Sequence, residues 1–225
     1  INEFKNLIMV NSNQKLDLIK NNLNDIKNPI ILELGVNRGG STKFFLKHIE
    51  ENNGKLFSID IKDCSSVSDS KNWNFLISDD LDYNFIVSKF KEISEKGIDV
   101  LFIDSYHDPS HVKILLEKWS FLVNINGVII LDDTESLPYK LKKNFIFSVI
   151  NDAVDDVVKN FYYSNHDQYE YTKFYKGAGL SLLEKKSLKE TSINKKRIWD
   201  YNVIFSKIYL FLKKTLFLFR NFKKR

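Results

Sequence analysis

The chain has 225 residues, 43% hydrophobic and 28% charged, enough to bury a core of its own and too apolar for a disordered chain. Its net charge of +5 is uneven: residues 195–225 hold ten Lys/Arg against one acid, Asp200, a local +9 that leaves −4 for residues 1–194. A basic tail on an acidic body argues against a nucleic-acid groove, which spreads positive charge over the folded domain; the single cysteine, Cys64, excludes an internal disulfide framework and fits a reducing, cytoplasmic compartment.

Leu16, Ile19, Leu23 and Ile26 follow helical spacing, and Pro29 ends that helix. A strand is predicted near 30–34, a helix near 41–52 closed by Gly54, and strands near 56–60 and 73–77. A helix is predicted over 83–96, ending at Gly97, followed by the buried strand Val100-Leu101-Phe102-Ile103. Asp108-Pro109 supplies an N-cap and a first-turn proline for the next helix. Gly127 precedes a further apolar strand, Val128–Leu131, and a helix spans 145–159. Tyr169–Tyr175 and Leu180–Leu183, flanking Lys176-Gly177-Ala178-Gly179, read as a closing antiparallel pair at the sheet edge. Apolar strands alternating with helices indicate a mostly parallel sheet covered on both faces. The organisation expected is a helical segment over 1–29, a domain over 30–186 and a tail over 187–225.

Strand ends carry the chemistry. Ile30–Leu34 runs into glycines at 35, 39 and 40 and then Ser41-Thr42, a strand, a tight loop and a helix start. Glycines allow close backbone approach, and the free N–H groups of a helix start favour a negative group. The next strand ends in Asp60, where a nucleoside-binding βαβ unit places its ribose carboxylate. Asp79 and Asp80 follow the third strand, Asp104 the fourth, and Asp132-Asp133 the fifth. One such acid can simply cap a turn or a helix, but uncompensated carboxylates sharing a cleft repel each other and call for hydroxyl donors or a cation. His107 lies three residues after Asp104 and can serve as a base near neutral pH or bind loop backbone. His111, in the first turn of the following helix, reads as structural or exposed, with a metal role the lesser alternative.

The loop lacks the middle glycine of the dinucleotide fingerprint, since Asn37 stands there, which weighs against a nicotinamide-dependent oxidoreductase. Glu33-x-Gly35-x-x-x-Gly39 instead resembles the first motif of class I S-adenosylmethionine-dependent methyltransferases. Phe57-Ser58-Ile59-Asp60, Phe102–His107 and Gly127–Asp133 extend the resemblance over roughly 30–185. The chain is similar to the branch holding the metal-assisted bacterial sugar and antibiotic O-methyltransferases and the cephalosporin hydroxylase-like proteins. The resemblance implies a three-layer α/β sandwich with a seven-stranded, mostly parallel, Rossmann-like sheet. By position it puts Glu33, Gly35 and Gly39 around the methionine part of the cofactor and Asp60 on the ribose hydroxyls. Asp79, or Asp80 one residue on, falls to the adenine amino group. Asp104, Asp132 and Asp133 would hold a divalent cation of the Mg²⁺ class, with His107 as general base; hard carboxylate oxygens suit such a cation.

What this implies is methyl transfer to a hydroxyl of a sugar or glycan intermediate. The alternatives are a metal-independent enzyme using His107 alone, and a non-catalytic nucleoside-binding module at a membrane. In the tail, Tyr201, Phe205, Ile208, Tyr209, Leu212, Leu216 and Phe219 follow helical spacing among lysines. That pattern suits a helix lying on the inner, anionic face of a membrane, or one packed on its own domain or on a second copy of the chain.

Overall fold

The computed structural model describes residues 15–21, 23 and 26–188; the tail expectation lies outside them. Helical residues 15–21 form α1. The strands are β1 (Ile30–Leu34), β2 (Lys55–Asp60), β3 (Trp73–Ile77), β4 (Ile98–Ile103), β5 (Val123–Asp132), β6 (Tyr169–Phe174) and β7 (Leu180–Lys185). The remaining helices are α2 (Gly40–Asn52), α3 (Tyr83–Lys89), α4 (Lys91–Lys96), α5 (Pro109–Trp119), α6 (Leu137–Leu141) and α7 (Phe145–Ser164).

The strands form one sheet in the order β3-β2-β1-β4-β5-β7-β6. The first five run parallel, while β7 pairs antiparallel with β5 and β6 antiparallel with β7. Alternate residues of each central strand feed cores on opposite faces. Ile30, Leu32 and Leu34 pack with Ile86, Ile93, Leu115, Trp119 and Val158 from α3, α4, α5 and α7. Ile31 packs with Ile19, Leu23, Phe45 and Ile49 from the N-terminal segment and α2. Burial on both faces explains why these strands read as unbroken apolar runs, and the three layers match the expected sandwich.

Several elements differ from expectation. The helix expected over 83–96 is two helices joined at Phe90, whose φ of −104° and ψ of 61° are not helical. Burial of the Phe90 ring against Phe57, 5.0 Å between centroids, takes precedence over helix continuity. Helix α2 is closed by Asn53 in the left-handed conformation rather than by Gly54. Helix α7 runs five residues past Lys159 because Phe161 is buried and the Asn165 amide donates to the Phe161 carbonyl at 2.8 Å. The short helix α6 had no signal beyond Pro138 in its first turn.

The chain lays β2 and β3 on one side of β1 and β4 and β5 on the other. Strand order reverses between β1 and β4, and a crevice opens there beyond the carboxyl ends of the strands.

Candidate functional site

A cleft of about 490 Å³ occupies that crevice, within the size range of small-molecule and cofactor sites. Gly35 and Asn37 line it from the β1 loop, Ile59–Lys62 from β2, Ser78–Asp80 from β3 and Asp104–Tyr106 from β4, with His111 of α5.

The β1 loop is folded for close approach. Gly35 sits at φ +96°, and a Cβ there would stand 2.3 Å from the Asp104 carbonyl oxygen, so a side chain would force the β1 and β4 ends apart. Asp60 fixes the loop from the other side: its Oδ2 accepts from the N–H groups of Val36 (2.9 Å) and Asn37 (3.0 Å), and its Oδ1 from Lys62 (2.9 Å). Burial opposes ionisation of Asp60, but the three N–H donors together hold its carboxyl below the ordinary value. The carboxylate is thus charged and preset at the cleft, with one lone-pair site on Oδ1 left for a further hydroxyl.

Two residues expected at the cofactor do not line the cleft. Glu33 is 0% exposed. Its Oε1 accepts from Ser41 Oγ (2.6 Å), and its Oε2 from Thr42 Oγ1 (2.8 Å) and Ser58 Oγ (2.6 Å). Burial pushes its carboxyl up while the hydroxyls oppose the shift. The side chain turns inward because the start of α2 and strand β2 present hydroxyls there; it ties β1, α2 and β2 together beneath the loop. Gly39 forms the left-handed N-cap of α2 at φ +75°, and a Cβ would meet Val67 at 2.2 Å. It shapes the loop without facing the cleft.

Both candidates after β3 do face it, in different states. Asp79 Oδ1 accepts from the Leu81 N–H at 2.9 Å. Asp80 is buried, with its Oδ1 2.8 Å from His111 Nε2 and its Oδ2 without a protein partner. Burial pushes its carboxyl up, against the opposing influence of the nearby Ser105 and His111 side chains. His111, read from sequence as structural or exposed, is thereby a cleft residue. It is presented by α5, whose N-cap Asp108 accepts from the N–H groups of Ser110 (2.9 Å) and His111 (3.1 Å).

The second half of the site lies toward β5. His107 Nε2 stands 3.6 Å from Asp104 Oδ1 and 3.8 Å from Asp133 Oδ2. Asp132 ends β5, and Asp133 follows at φ 54°, a turn that brings both acids to the same side. Burial first, then the charges of Asp132 and Asp133, push the Asp104 carboxyl well above the carboxylate range; Lys15 opposes. The Asp133 carboxyl is raised for the same reasons, against His107 and Lys15. The Lys15 ammonium rests on Asp132 and stands 3.8 Å from Asp133. Sequence reading missed Lys15, yet it lies four residues before the buried Ile19 and so on the same helical face. It also missed Tyr139 of α6, whose hydroxyl is pushed up to about 12 by burial and by the charges of Asp133 and Asp132.

Two groups can be tested against this geometry. A nucleoside with an amino-acid arm fits the cleft: a preset carboxylate at Asp60, the unpartnered Asp80 Oδ2 and Ser105 Oγ, and apolar walls at Ile59 and Ile61. For a divalent cation the donor chemistry fits, since three mutually repelling carboxylates are hard oxygen ligands. Among the described residues, however, no group of three His, Cys, Asp or Glu side chains is arranged as a metal site, and the cation in contact with them is Lys15.

A family model described as a methyltransferase domain matches residues 32–134. Among solved structures, the MycE methyltransferase of the mycinamycin biosynthetic pathway, in complex with Mg and SAH, superposes with a TM-score of 0.59 at 16% identity, covering 80% of this chain and 52% of its own. The chain thus spans about half the length of that protein. A Staphylococcus aureus protein described as a candidate caffeoyl-CoA O-methyltransferase gives 0.58 at 19% identity, covering 76% and 83%. The SAH-bound Podospora anserina methyltransferase PaMTH1 gives 0.54 at 14%, covering 71% and 72%. At these identities the likeness to the solved structures is one of fold. Among curated proteins, no sequence matches the chain.

Proposed function

We propose that the chain is a class I S-adenosylmethionine-dependent methyltransferase that acts on a hydroxyl oxygen, carried by a sugar or glycan intermediate. The observation that carries the reading is the placement of His107 between Asp104 and Asp133, next to the nucleoside-sized cleft. Bound in the cleft, S-adenosylmethionine supplies an electrophilic methyl carbon. Asp60 accepts from the ribose hydroxyls, Gly35 lets the methionine arm lie against the β1 loop, and Asp79 or Asp80 accepts from the adenine amino group. His107 Nε2, buried without a hydrogen-bond partner, takes the proton that the acceptor hydroxyl loses. Asp104 and Asp133 stabilise the imidazolium that results, at little cost in reorganisation because they already flank the ring.

Asp104, Asp132 and Asp133 are the residues that would hold a divalent cation of the Mg²⁺ class, which would supply Lewis acidity toward the acceptor oxygen. Mg and SAH occur together in the MycE structure. One observation favours a second, metal-independent reading: the Lys15 ammonium already neutralises Asp132. Contact of residues 198–225 with the inner membrane face belongs to the same proposal, and it suits an acceptor carried on a lipid.

The test has three arms. Calorimetry with S-adenosylmethionine gives heat if the cleft is the cofactor site. Release of S-adenosylhomocysteine then depends on added glycan acceptor, and its absence with every acceptor leaves a binding module. Asp132→Asn, outside the cleft lining, keeps cofactor binding and loses turnover; chelator-treated wild-type protein that turns over normally selects the Lys15 reading over the metal.

A further inference from the structure

Residues 141–147 are exposed without interruption. They join α6 to α7 and carry an apolar crest: Leu141 is 76% exposed, Phe145 78% and Ile146 68%, with Leu137, Phe147 and Val149 about half exposed. Contiguous exposed apolar surface of this kind marks an interaction site. The crest has structural support. Phe147 stacks on Tyr139 with centroids 5.5 Å apart and planes 22° apart, and Asn144 Oδ1 accepts from the Phe147 N–H to cap α7. Phe145, Ile146 and Val149 share one face of α7, whereas Ser148, Asn151, Val154 and Val158 turn to the protein.

Charge identifies the occupant. Residues 137–149 hold three lysines, 140, 142 and 143, and no acid. Lys140 pairs with Asp152 at 2.6 Å, one turn further along α7, and Lys142 and Lys143 are exposed residues within the crest segment. Apolar side chains at a tip with cations beside them match a bilayer interface: the tips enter the acyl boundary and the ammonium groups stay with the phosphates. A second copy of the chain fits worse. A two-fold contact through this crest would set the same lysines against each other, which costs rather than gains.

We infer that the α6–α7 crest docks the domain on an anionic lipid bilayer, with Phe145, Ile146 and Leu141 inserted and Lys142 and Lys143 at the headgroups. The site is distinct from the tail at 198–225, and it stands whether or not the cleft transfers methyl groups. Its position has a further meaning if the proposed function holds. Tyr139 beneath the crest faces the charges of Asp132 and Asp133, so the docked surface is on the acceptor side of the site.

The full chain is mixed with neutral phosphatidylcholine vesicles and with vesicles enriched in phosphatidylglycerol, and co-sedimentation is measured for wild type, F145S/I146S and K142Q/K143Q. The first double variant is expected to bind both vesicle types about tenfold or more weakly. The second is expected to lose about thirtyfold on the anionic vesicles, about fivefold per lysine, and little on the neutral ones. Ile146→Cys carrying an environment-sensitive nitrobenzoxadiazole label localises the contact, since Cys64 is buried. Its emission is expected to shift to the blue on anionic vesicles and to return on adding salt. No shift, or F145S/I146S binding within about twofold of wild type, overturns the inference and places any lipid affinity elsewhere, residues 198–225 included. Self-association of the wild type that F145S/I146S abolishes overturns it in favour of a second copy. Acceptor-dependent methyl transfer in solution is scored separately, so failure of the crest and failure of the proposed chemistry are told apart.

Discussion

Replacing Glu33 separates a structural carboxylate from a ligand-binding one. Its two oxygens accept three hydroxyl hydrogen bonds, two of them from Thr42 and Ser58, which are fully buried. Glu33→Leu leaves those two hydroxyls without an acceptor, at about 1–3 kcal/mol each, so a loss of about 2–6 kcal/mol is expected. Glu33→Gln can turn its amide nitrogen toward Ser41, which is less enclosed, and keep its oxygen for Thr42 and Ser58. It gives up charge-assisted bonds and sheds the cost of burying a charge, so its expected loss is about 1 kcal/mol. The two variants also differ from wild type in pH dependence. Because burial raises the folded carboxyl above 4.5, the unfolded chain releases this proton first as pH rises. Over that interval the unfolded state binds fewer protons, and wild-type stability falls with rising pH. Glutamine lacks the titration, so the wild-type advantage over it is largest below 4.5 and shrinks as pH rises to the folded value. Urea unfolding followed by tryptophan fluorescence, at about pH 4 and about pH 7, reads both effects. A leucine variant no less stable than the glutamine variant, or a wild-type-to-glutamine gap that ignores pH, refutes the reasoning.

Gly35→Ala is expected to destabilise by about 2 kcal/mol or more, from its positive φ and the meeting with the Asp104 carbonyl; calorimetry should also show cofactor affinity falling with it, and an unchanged affinity would detach the loop from the cleft. Asp108→Ala removes the acceptor for two N–H groups at the start of α5 and should cost about 1 kcal/mol by thermal unfolding. Lys185 is buried, donating to the carbonyls of Ser120 (3.1 Å) and Val123 (2.9 Å). Lys185→Met should cost about 1–3 kcal/mol in urea unfolding at neutral pH. Burial lowers the Lys185 pKa below 10.5, so the wild type gains stability relative to the Met variant as pH rises toward 10.5, where the unfolded chain still holds the proton; a gap that narrows would contradict this.

The sheet was legible because its strands are buried on both faces and leave unbroken apolar runs such as Val100–Ile103 and Val128–Leu131. The break at Phe90 was not, since every neighbour tolerates helix and only the packing on Phe57 demands the kink. Acids at strand ends announced a site, but their division of labour depends on loop conformation that spacing does not carry. Glu33 turned inward because hydroxyls eight, nine and twenty-five residues away converge on it. Asp79 and Asp80 are adjacent in sequence yet one pairs with the Leu81 backbone and the other with His111. The contact between Lys15 and Asp132 bridges 117 positions, and Tyr139 sits on a helix too short to show a period.

The reversal of strand order between β1 and β4 divides ownership of the crevice. Under the proposed function, the loops after β1, β2 and β3 would build the nucleoside end, and the segment after β5 together with α6 the acceptor end. Each half can therefore drift independently. On that reading, descendants of one ancestor keep a common methyl currency while exchanging the recipient, and a graft of residues 133–147 between relatives is the unit in which to rewrite what is modified.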